Sequence, residues 1–356
     1  MFPNAKVTTI DVYDILRKKR GILLVNVYHF LKEYGSDFLL GRRNIKEIKR
    51  FFFSTVYILD YIKKYLNEHI DSEQYRFSLQ TQSLFDLSVS GLPHYIYTDH
   101  TNLCNYFYPT LSLSPARLIK NEGYHSREKI GYDSAQKIFV MGHHTKLSLV
   151  HQYQIDESKV IAVGCGGNAK IPNYINPSKY ESKTILFVGD QWELKGGMVL
   201  VEAFKIIKSY FPEANLNIIG TKPSIANIDG CFAIERVPIE KLVNYYEEAS
   251  IFCMPSIVET FGMVYVEAMY YGLPIVTNNI GSNSLTIKDG VSGIVTDGSV
   301  FQIGQALMEL LDDPDKCKRY GNAGYEIATQ KYTWDYVLEQ MRSAITNEIS
   351  IVQVDG

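Results

Sequence analysis

The sequence predicts an α/β fold of two domains, and three observations support this. The 356 residues exceed what a single hydrophobic core usually supports. Through the second half of the chain, short apolar runs alternate with helical stretches of about ten to fifteen residues, which is typical of right-handed βαβ units on a parallel sheet. A segment rich in Pro, Asn, Ser and Lys, residues 171–183, divides the two halves and is predicted to be a linker.

The individual elements follow from apolar runs, helical periodicity, and Gly or Pro at their ends. In the first half, strands are predicted at residues 21–28 (GILLVNVY), 77–82, 94–98 and 137–141, with helices near 43–70 and 143–153. In the second half, strands are predicted at 184–189, 215–220, 250–255 and 274–278, with helices at 197–210, 239–249 and 260–271. Ligands of such sheets bind beyond the carboxyl ends of the strands, so the loops after these strands are the first candidates for a site.

Composition narrows the class of protein. The five cysteines are scattered singly, without paired spacing for zinc or for a disulfide framework, which favours a reducing cytosol. No apolar signal region is found at the N-terminus, and the longest apolar run, 51–62, is broken by Asp60 and too short to span a bilayer. We expect a cytoplasmic protein that is neither secreted nor membrane-spanning.

The first 70 residues are basic although the whole chain carries a net charge of −3, since they hold 13 Lys and Arg against 7 Asp and Glu. The densest part, residues 42–64, interleaves Arg and Lys with Phe51, Phe52 and Phe53 on a predicted helix. Such a helix either contacts an anionic membrane, which would place the protein peripherally on the inner membrane face, or is an ordinary solvated face. No nucleic-acid partner is expected.

The segment from Ser256 to Glu267 carries the most informative motif. It follows a predicted strand, opens a predicted helix, and holds Glu259 in the loop and Glu267 about two turns into the helix. The first N–H groups of a helix are unpaired and lie at the positive end of its dipole, which suits a diphosphate. The residues that would present this helix start are Thr260, Phe261, Gly262 and Met263, with Gly262 allowing close approach of the ligand.

Residues 255–274 read P-S-x-x-E-T-F-G-x-x-x-x-E-A-M-x-x-G-L-P. This pattern resembles the E-x7-E signature of glycosyltransferase family 4, the glycogen-synthase-like retaining enzymes. The resemblance implies that Glu259 orients the donor hexose near the reacting carbon and that Glu267 accepts hydrogen bonds from the ribose hydroxyls. Each acid alone would be read as a helix-capping or a solvated residue.

A second motif, FVGDQWELKGG at 187–197, resembles the family's donor loop, G-R-x-x-x-x-K-G. The resemblance implies that Lys195 binds the diphosphate and stabilises its charge as it leaves, while Gly189 permits a tight turn beneath the nucleotide. Asp190 stands where the family has arginine, so a further cation such as Arg236 would assist Lys195. A simple surface lysine is the alternative.

The predicted strand at 94–98 ends in Asp99 and His100. Family members often carry a histidine here, which implies that His100 contacts the donor sugar and that Asp99 orients it or contacts the acceptor. The alternative is a loop histidine satisfied by local backbone.

The resemblance covers about residues 94–345 and implies a GT-B fold, in which two Rossmann-like domains face one another across a cleft. We predict an acceptor-side domain at 1–172, a nucleotide-sugar domain at 173–332, and a helix at 333–356 crossing back. Because no D-x-D follows a strand and the His143–His144 pair lacks zinc spacing, no metal and no cofactor besides the donor are expected.

The implied reaction is retaining transfer of a hexose from a UDP- or GDP-sugar to a hydroxyl of a glycan, a lipid-linked or a small acceptor, as in polysaccharide biosynthesis. Two alternatives stay open. One is a GT-B epimerase or phosphorylase. The other is a catalytically silent partner subunit, suggested by Asp190 and by the missing glycine-rich loop near the N-terminus.

Overall fold

The computed structural model describes residues 1–107, 119–223 and 228–354, and the chain divides into two compact units. The N-terminal unit comprises Met1–Val163 with Met341–Gly356, and the C-terminal unit comprises Gly164–Gln340. The division at 163/164 lies upstream of the expected one at 172/173. The last helix, Trp334–Val354, contributes residues to both units.

The N-terminal unit begins with helices and continues with a small sheet. Its helices are α1 (Val12–Lys18), α2 (Arg20–Leu39), α3 (Ile48–Phe52), α4 (Val56–His69), α5 (Glu122–Ser134) and α6 (His143–Leu147). Its strands are β1 (Ser78–Thr81), β2 (His94–Thr98), β3 (Lys137–Val140) and β4 (Val160–Ala162), which pair in parallel in that order. A π-helical turn, Ser148–Gln152, continues α6.

The strand predicted at 21–28 is wrong, because these residues lie within helix α2. A short apolar run does not by itself distinguish a strand from a buried helix. The burial pattern shows the difference, since Asn26, Phe30 and Tyr34 recur every four residues on the packed side. The Asn26 side-chain amide donates to the Phe52 carbonyl at 2.6 Å, which fixes α2 against α3.

One of the three phenylalanines of the predicted basic helix is buried. Phe51 lies in a cluster with Phe30, Tyr34 and Leu59, and the Arg43 guanidinium lies 4.8 Å from the centre of the Phe51 ring. Phe51 therefore helps to hold the N-terminal helices together, while Phe52 and Phe53 are partly exposed and the basic residues Arg42, Lys49 and Lys64 are exposed.

The C-terminal unit alternates strands and helices, as the sequence predicts. Its strands are β5 (Thr184–Val188), β6 (Asn215–Gly220), β7 (Cys231–Glu235), β8 (Ile251–Cys253), β9 (Ile275–Asn278) and β10 (Gly293–Thr296). Its helices are α7 (Gly197–Tyr210), α8 (Ile239–Glu248), α9 (Met263–Tyr270), α10 (Asn283–Thr286), α11 (Val300–Asp312), α12 (Pro314–Lys331) and the first part of α13 (Trp334–Val354).

All six strands of this unit are parallel, in the order β10-β9-β8-β5-β6-β7. The chain runs outward in one direction from β5 through β6 to β7, and then in the other from β8 through β9 to β10. This is the doubly wound order of a Rossmann fold, in which ligands bind where the order reverses. The reversal lies between β5 and β8, so the loops after these two strands define the candidate site.

The segment predicted to be a linker, 171–183, is a packed part of the C-terminal unit. It contains a short 3-10 helix, Pro177–Glu181, in which Lys179 and Tyr180 are buried. The Lys179 ammonium donates to the carbonyls of Tyr246 and Tyr271 at 2.7 and 2.8 Å. A composition rich in Pro, Ser and Asn therefore marks a turn here, and not a free connection between domains.

Among the helices that the structure describes, none is both long and apolar enough to cross a lipid bilayer.

Candidate functional site

Two loops at the reversal point of the C-terminal sheet are hydrogen-bonded to each other. One follows β5 and carries Lys195, while the other follows β8 and carries Glu259. The Leu194 carbonyl accepts hydrogen bonds from the N–H groups of Ile257 and Val258 at 2.8 and 3.2 Å. Residues more than 60 positions apart in sequence are thereby held in fixed register.

A glycine makes this approach possible. Gly196 caps α7 in the left-handed region, at φ +74°, and a Cβ atom on it would lie 1.9 Å from the Pro255 carbonyl oxygen. Any side chain at this position would force the loops apart, so Gly196 is needed for both its conformation and its size. The adjacent Trp192 is buried and packs edge-on against Phe187 of β5.

Lys195 and Glu259 form an ion pair between these loops. The Lys195 Nζ lies 2.7 Å from Glu259 Oε2, with 20% of the lysine side chain and 6% of the glutamate side chain exposed. The second carboxylate oxygen, Oε1, accepts the Thr260 N–H at 3.1 Å. Glu259 is therefore a nearly buried carboxylate, and Lys195 is a cation that keeps one side toward solvent.

Helix α9 begins at Met263, three residues later than predicted. Gly262 caps it at φ +81°, and a Cβ atom there would lie 2.2 Å from the Tyr265 ring. Because the helix starts late, Glu267 lies about one turn into it instead of two, near its N-terminal end. The Tyr265 N–H donates to the Gly262 carbonyl at 2.9 Å, and the positive end of the helix dipole lies at this start.

Glu267 is buried, with 4% of the residue exposed. Its carboxylate accepts the Asn168 N–H at 2.9 Å and the Tyr246 hydroxyl at 3.1 Å. Burial raises the pKa of Glu267, and these two hydrogen bonds act in the opposite direction by stabilising the ionised form. The interpretation of Glu267 as a solvated acid is therefore wrong.

Asn168 and Tyr246 belong to this site, and the sequence did not single them out as site residues. Asn168 lies in the segment VGCGGN, and its side-chain amide lies 3.0 Å from the Met263 sulfur at the start of α9. Gly167 fits closely, since a Cβ atom on it would lie 2.9 Å from the Glu267 Cγ. The tight packing of Gly167 on α9 places Asn168 next to Glu267.

The other donor residues predicted from the motifs lie around the same loops. Gly189 is not among the glycines with positive φ, and a Cβ atom on it would lie 3.2 Å from the Lys195 Cγ. Gly189 therefore leaves room for the aliphatic part of the Lys195 side chain, whereas Gly196 adopts the left-handed conformation of the turn. Phe261 is buried, with its ring edge-on to Tyr332 at 5.8 Å.

Arg236 and Asp190 lie at the same edge of the sheet but outside the ion pair. Arg236 is exposed and follows β7, the edge strand two positions from β5, while Asp190 is exposed directly after Gly189. Within the described residues, no hydrogen bond or ion pair joins Arg236 to Lys195, Glu259 or Glu267. The structure pairs Lys195 with Glu259 and places Glu267 on the helix that follows the Glu259 loop, where it bonds to Asn168 and Tyr246.

His100 and Asp99 belong to the N-terminal unit and follow β2. The His100 carbonyl accepts from the hydroxyls of Thr98 and Ser83 at 2.9 and 3.1 Å, which fixes the backbone of this loop. The Asp99 carbonyl accepts the Thr145 hydroxyl at 2.7 Å. The His100 ring faces a second histidine, His144, with the ring centres 6.5 Å apart.

Comparison with known sequences shows that the loops carrying Lys195 and Glu259 lie within a segment that matches a family profile. Residues 174–327 match the profile of the family described as Glycosyl transferases group 1. D-inositol 3-phosphate glycosyltransferase of Corynebacterium glutamicum is 26% identical over 252 residues, covering 63% of this chain and 60% of the relative. An uncharacterized glycosyltransferase of Haemophilus influenzae is 35% identical over 122 residues, covering 30% and 34%. The chain thus spans less than two thirds of the length of either relative.

Solved structures share the fold over a larger part of the chain. Sucrose-phosphate synthase from Thermosynechococcus elongatus matches 83% of this chain and 79% of its own, at 18% identity and a TM-score of 0.67. Anabaena HepE in complex with UDP-glucose matches 72% of each chain, at 13% identity and a TM-score of 0.58. These likenesses confirm the predicted α/β fold of the GT-B class.

Proposed function

We propose that this chain is a retaining hexosyltransferase that moves a sugar from a nucleotide diphosphate donor to a hydroxyl acceptor without a metal. The observation that carries the proposal is the Lys195–Glu259 ion pair, held at the reversal point of the C-terminal sheet. This position lies inside the residues that match glycosyl transferases group 1. The Lys195 loop and the start of α9 would together provide a cation and the positive end of a helix dipole for a pyrophosphate.

The burial of each group supports a distinct role. Lys195 is partly exposed, so its ammonium can turn from Glu259 to an incoming diphosphate. Glu259 is nearly buried and would face the hexose once Lys195 binds the phosphates. Glu267, held by Asn168 and Tyr246 one turn into α9, would accept the ribose hydroxyls. Several solved neighbours carry UDP or UDP-glucose, which makes UDP-sugars the first donors to test.

In the proposed reaction the acceptor hydroxyl attacks the anomeric carbon on the face from which the diphosphate leaves. The carbon–oxygen bond to the diphosphate breaks, the new glycosidic bond forms, and a phosphate oxygen of the leaving group takes the hydroxyl proton. Configuration is retained, and no covalent protein nucleophile is needed. Lys195 and the amides at the start of α9 would stabilise the charge on the departing diphosphate. His100 and Asp99 keep their predicted roles as sugar and acceptor contacts.

Replacing Glu259 by glutamine tests the assignment while keeping the size of the side chain. We expect Glu259→Gln to lower kcat by about 100-fold or more, because the charge facing the reacting carbon is lost, while UDP affinity changes by less than about threefold. Glu193→Gln is the matched control, since Glu193 is an exposed glutamate of the same loop. Equal losses of transfer and nucleotide binding in Glu259→Gln would contradict its catalytic role.

The rival functions give different results in the same experiments. Isomerisation of a nucleotide-sugar without acceptor, or phosphorolysis of a glycan, would indicate an epimerase or a phosphorylase. Failure of the wild-type chain to bind UDP, GDP or ADP would indicate a silent partner subunit. The intact Lys195–Glu259 pair favours the transferase, because a silent subunit has no need of a buried charged carboxylate at this position.

Helix α2 adds an exposed apolar face to the peripheral contact with an anionic membrane that residues 42–64 predict. Leu24, Tyr28 and Leu31 lie on one face of this helix and are more than half exposed. Arg20 and Lys32 are exposed basic residues of the same helix. An apolar stripe flanked by lysine and arginine suits an anionic lipid surface.

Sedimentation with vesicles tests this contact. The chain should bind vesicles containing anionic phospholipid at low salt, bind less at high salt, and ignore neutral vesicles. Tyr28→Glu should abolish binding, whereas Phe301→Glu, an exposed aromatic of the C-terminal unit, should not. Binding that is indifferent to lipid charge, or equal loss in both variants, would refute the contact.

A further inference from the structure

Three potential metal ligands converge in the N-terminal unit. They are His100, Cys104 and His144, and their ligating atoms all lie within 4.8 Å of one another. Cys104 is fully buried, His144 is buried, and His100 is partly exposed. The cluster is therefore closed on the protein side and open toward His100.

The topology of the sheet explains why these residues meet. Strands β2 and β3 are adjacent and parallel, so their carboxyl ends lie at the same edge. His100 follows β2 by two residues, and His144 lies in the first turn of α6 after β3. Cys104 lies on a 3-10 turn, Leu103–Phe107, that returns toward the same edge.

Hydrogen bonds hold Cys104 in this position. Its N–H donates to the Thr101 hydroxyl oxygen at 3.1 Å, and the neighbouring Asn102 N–H donates to the buried Glu128 carboxyl at 3.0 Å. The Thr101 hydroxyl in turn lies 2.6 Å from the Ser148 hydroxyl, which ties the Cys104 turn to the helical segment that follows α6. Outer hydrogen bonds of this kind fix the backbone from which a ligand side chain extends.

Thr145 connects the loops that carry the two histidines. Its hydroxyl donates to the Asp99 carbonyl at 2.7 Å and lies 3.5 Å from His144 Nε2. Histidines that bind metals usually have an outer partner that orients the ring. These contacts fix the loop after β2 against the start of α6.

We propose that His100, Cys104 and His144 bind one divalent ion of the zinc class, with solvent as the fourth ligand on the exposed side of His100. Two imidazoles and a thiolate suit Zn²⁺ or Co²⁺, whereas Mg²⁺ and Ca²⁺ prefer oxygen ligands. Zinc–sulfur and zinc–nitrogen bonds of about 2.3 and 2.0 Å require ligand atoms about 3.3 to 3.6 Å apart in a tetrahedron. The ligand atoms lie within 4.8 Å of one another, so small side-chain rotations would bring them to that spacing.

The site has a consequence for the proposed reaction, although its existence rests on the geometry alone. Resemblance to the family assigns His100 to the donor sugar, and a metal on its ring would remove it from that role. Zinc should therefore inhibit transfer, and a chelator should restore it. Inhibition by zinc is compatible with the proposed reaction, because that reaction itself uses no metal.

Cobalt binding to the full chain tests the site directly, without an assay of transfer. After removal of metals, one equivalent of Co²⁺ should give the visible absorption of a tetrahedral site together with a thiolate-to-cobalt band in the near ultraviolet. One equivalent of Zn²⁺ should displace it. Cys104→Ser should abolish the thiolate band, and His144→Gln should weaken binding by at least about tenfold.

Cys231→Ser is the matched control, because Cys231 is the partly exposed cysteine and lies in the other unit. It should leave the spectrum and the affinity unchanged. Zinc should also raise the unfolding temperature of the wild type and of Cys231→Ser, but not that of Cys104→Ser. Absence of a thiolate band in the wild type, or its loss in Cys231→Ser, would overturn the proposal. Loss of transfer without any cobalt spectrum would count against the metal site and leave the proposed function standing.

Discussion

Removing either partner of the Lys195–Glu259 pair should destabilise the C-terminal unit, but by unequal amounts. Lys195→Met leaves a carboxylate of which only 6% of the side chain is exposed, and breaking a buried pair in this way costs about 3–5 kcal/mol. Since 20% of the lysine side chain is exposed, the pair is partly screened, and we expect about 2–3 kcal/mol. Glu259→Gln leaves a lysine that can turn to solvent, so the expected cost is about 1 kcal/mol.

Urea unfolding followed by tryptophan fluorescence measures this difference. Both tryptophans, Trp192 and Trp334, lie in the C-terminal unit, so the signal reports its unfolding. A loss of about 2–3 kcal/mol moves the midpoint by about 1 M urea. The exposed pair Lys205–Glu202 on α7 provides the control, and Lys205→Met should cost no more than about 0.5 kcal/mol. If Glu259→Gln destabilises as much as Lys195→Met, the burial argument is wrong.

Two further predictions concern pH and backbone packing. Burial raises the pKa of Glu128 to about 7, so between its ordinary value and pH 7 the folded chain binds more protons than the unfolded chain. The stability of the N-terminal unit should therefore fall by up to about 3 kcal/mol as pH rises from about 4.5 to 7, and Glu128→Gln should flatten this dependence in thermal unfolding. Gly281→Ala should cost more than about 2 kcal/mol, since its Cβ atom would lie 2.1 Å from the Glu259 carbonyl oxygen. Gly290→Ala, with a similar φ but open space around it, should cost about 1 kcal/mol, and equal costs in urea unfolding would contradict the packing account.

The strands and helices of the C-terminal unit could be predicted from the sequence, because its apolar runs and turn residues agree with the strand order of the sheet. Short apolar strands end at Gly or Pro, as at Val188–Gly189, and the rule for parallel sheets directs attention to the loops after them. The observed strands β6 and β9 begin and end within one residue of the predicted bounds. The N-terminal half lacked such agreement, since GILLVNVY is apolar on both sides of helix α2 and fits either element.

The contacts within the site could be anticipated only in part. The motif placed Glu259 and Lys195 in neighbouring loops, but no sequence pattern reports that the pair closes at 2.7 Å. Tyr246 reaches Glu267 from helix α8, and an isolated tyrosine on an amphipathic helix carries no signal of such a contact. Cys104 and His144 lie 40 residues apart and match no zinc spacing, so only the adjacency of β2 and β3 reveals their proximity to His100.

Calorimetric titration of nucleoside diphosphates into the wild-type chain and Lys195→Met tests the central claim most directly. We expect the wild type to bind one equivalent of UDP or GDP, Lys195→Met to bind at least about tenfold more weakly because a charge-assisted contact to phosphate is lost, and Lys205→Met to bind as the wild type does. Equal affinity in Lys195→Met and the wild type would contradict the assignment of the diphosphate to this lysine and to the start of α9.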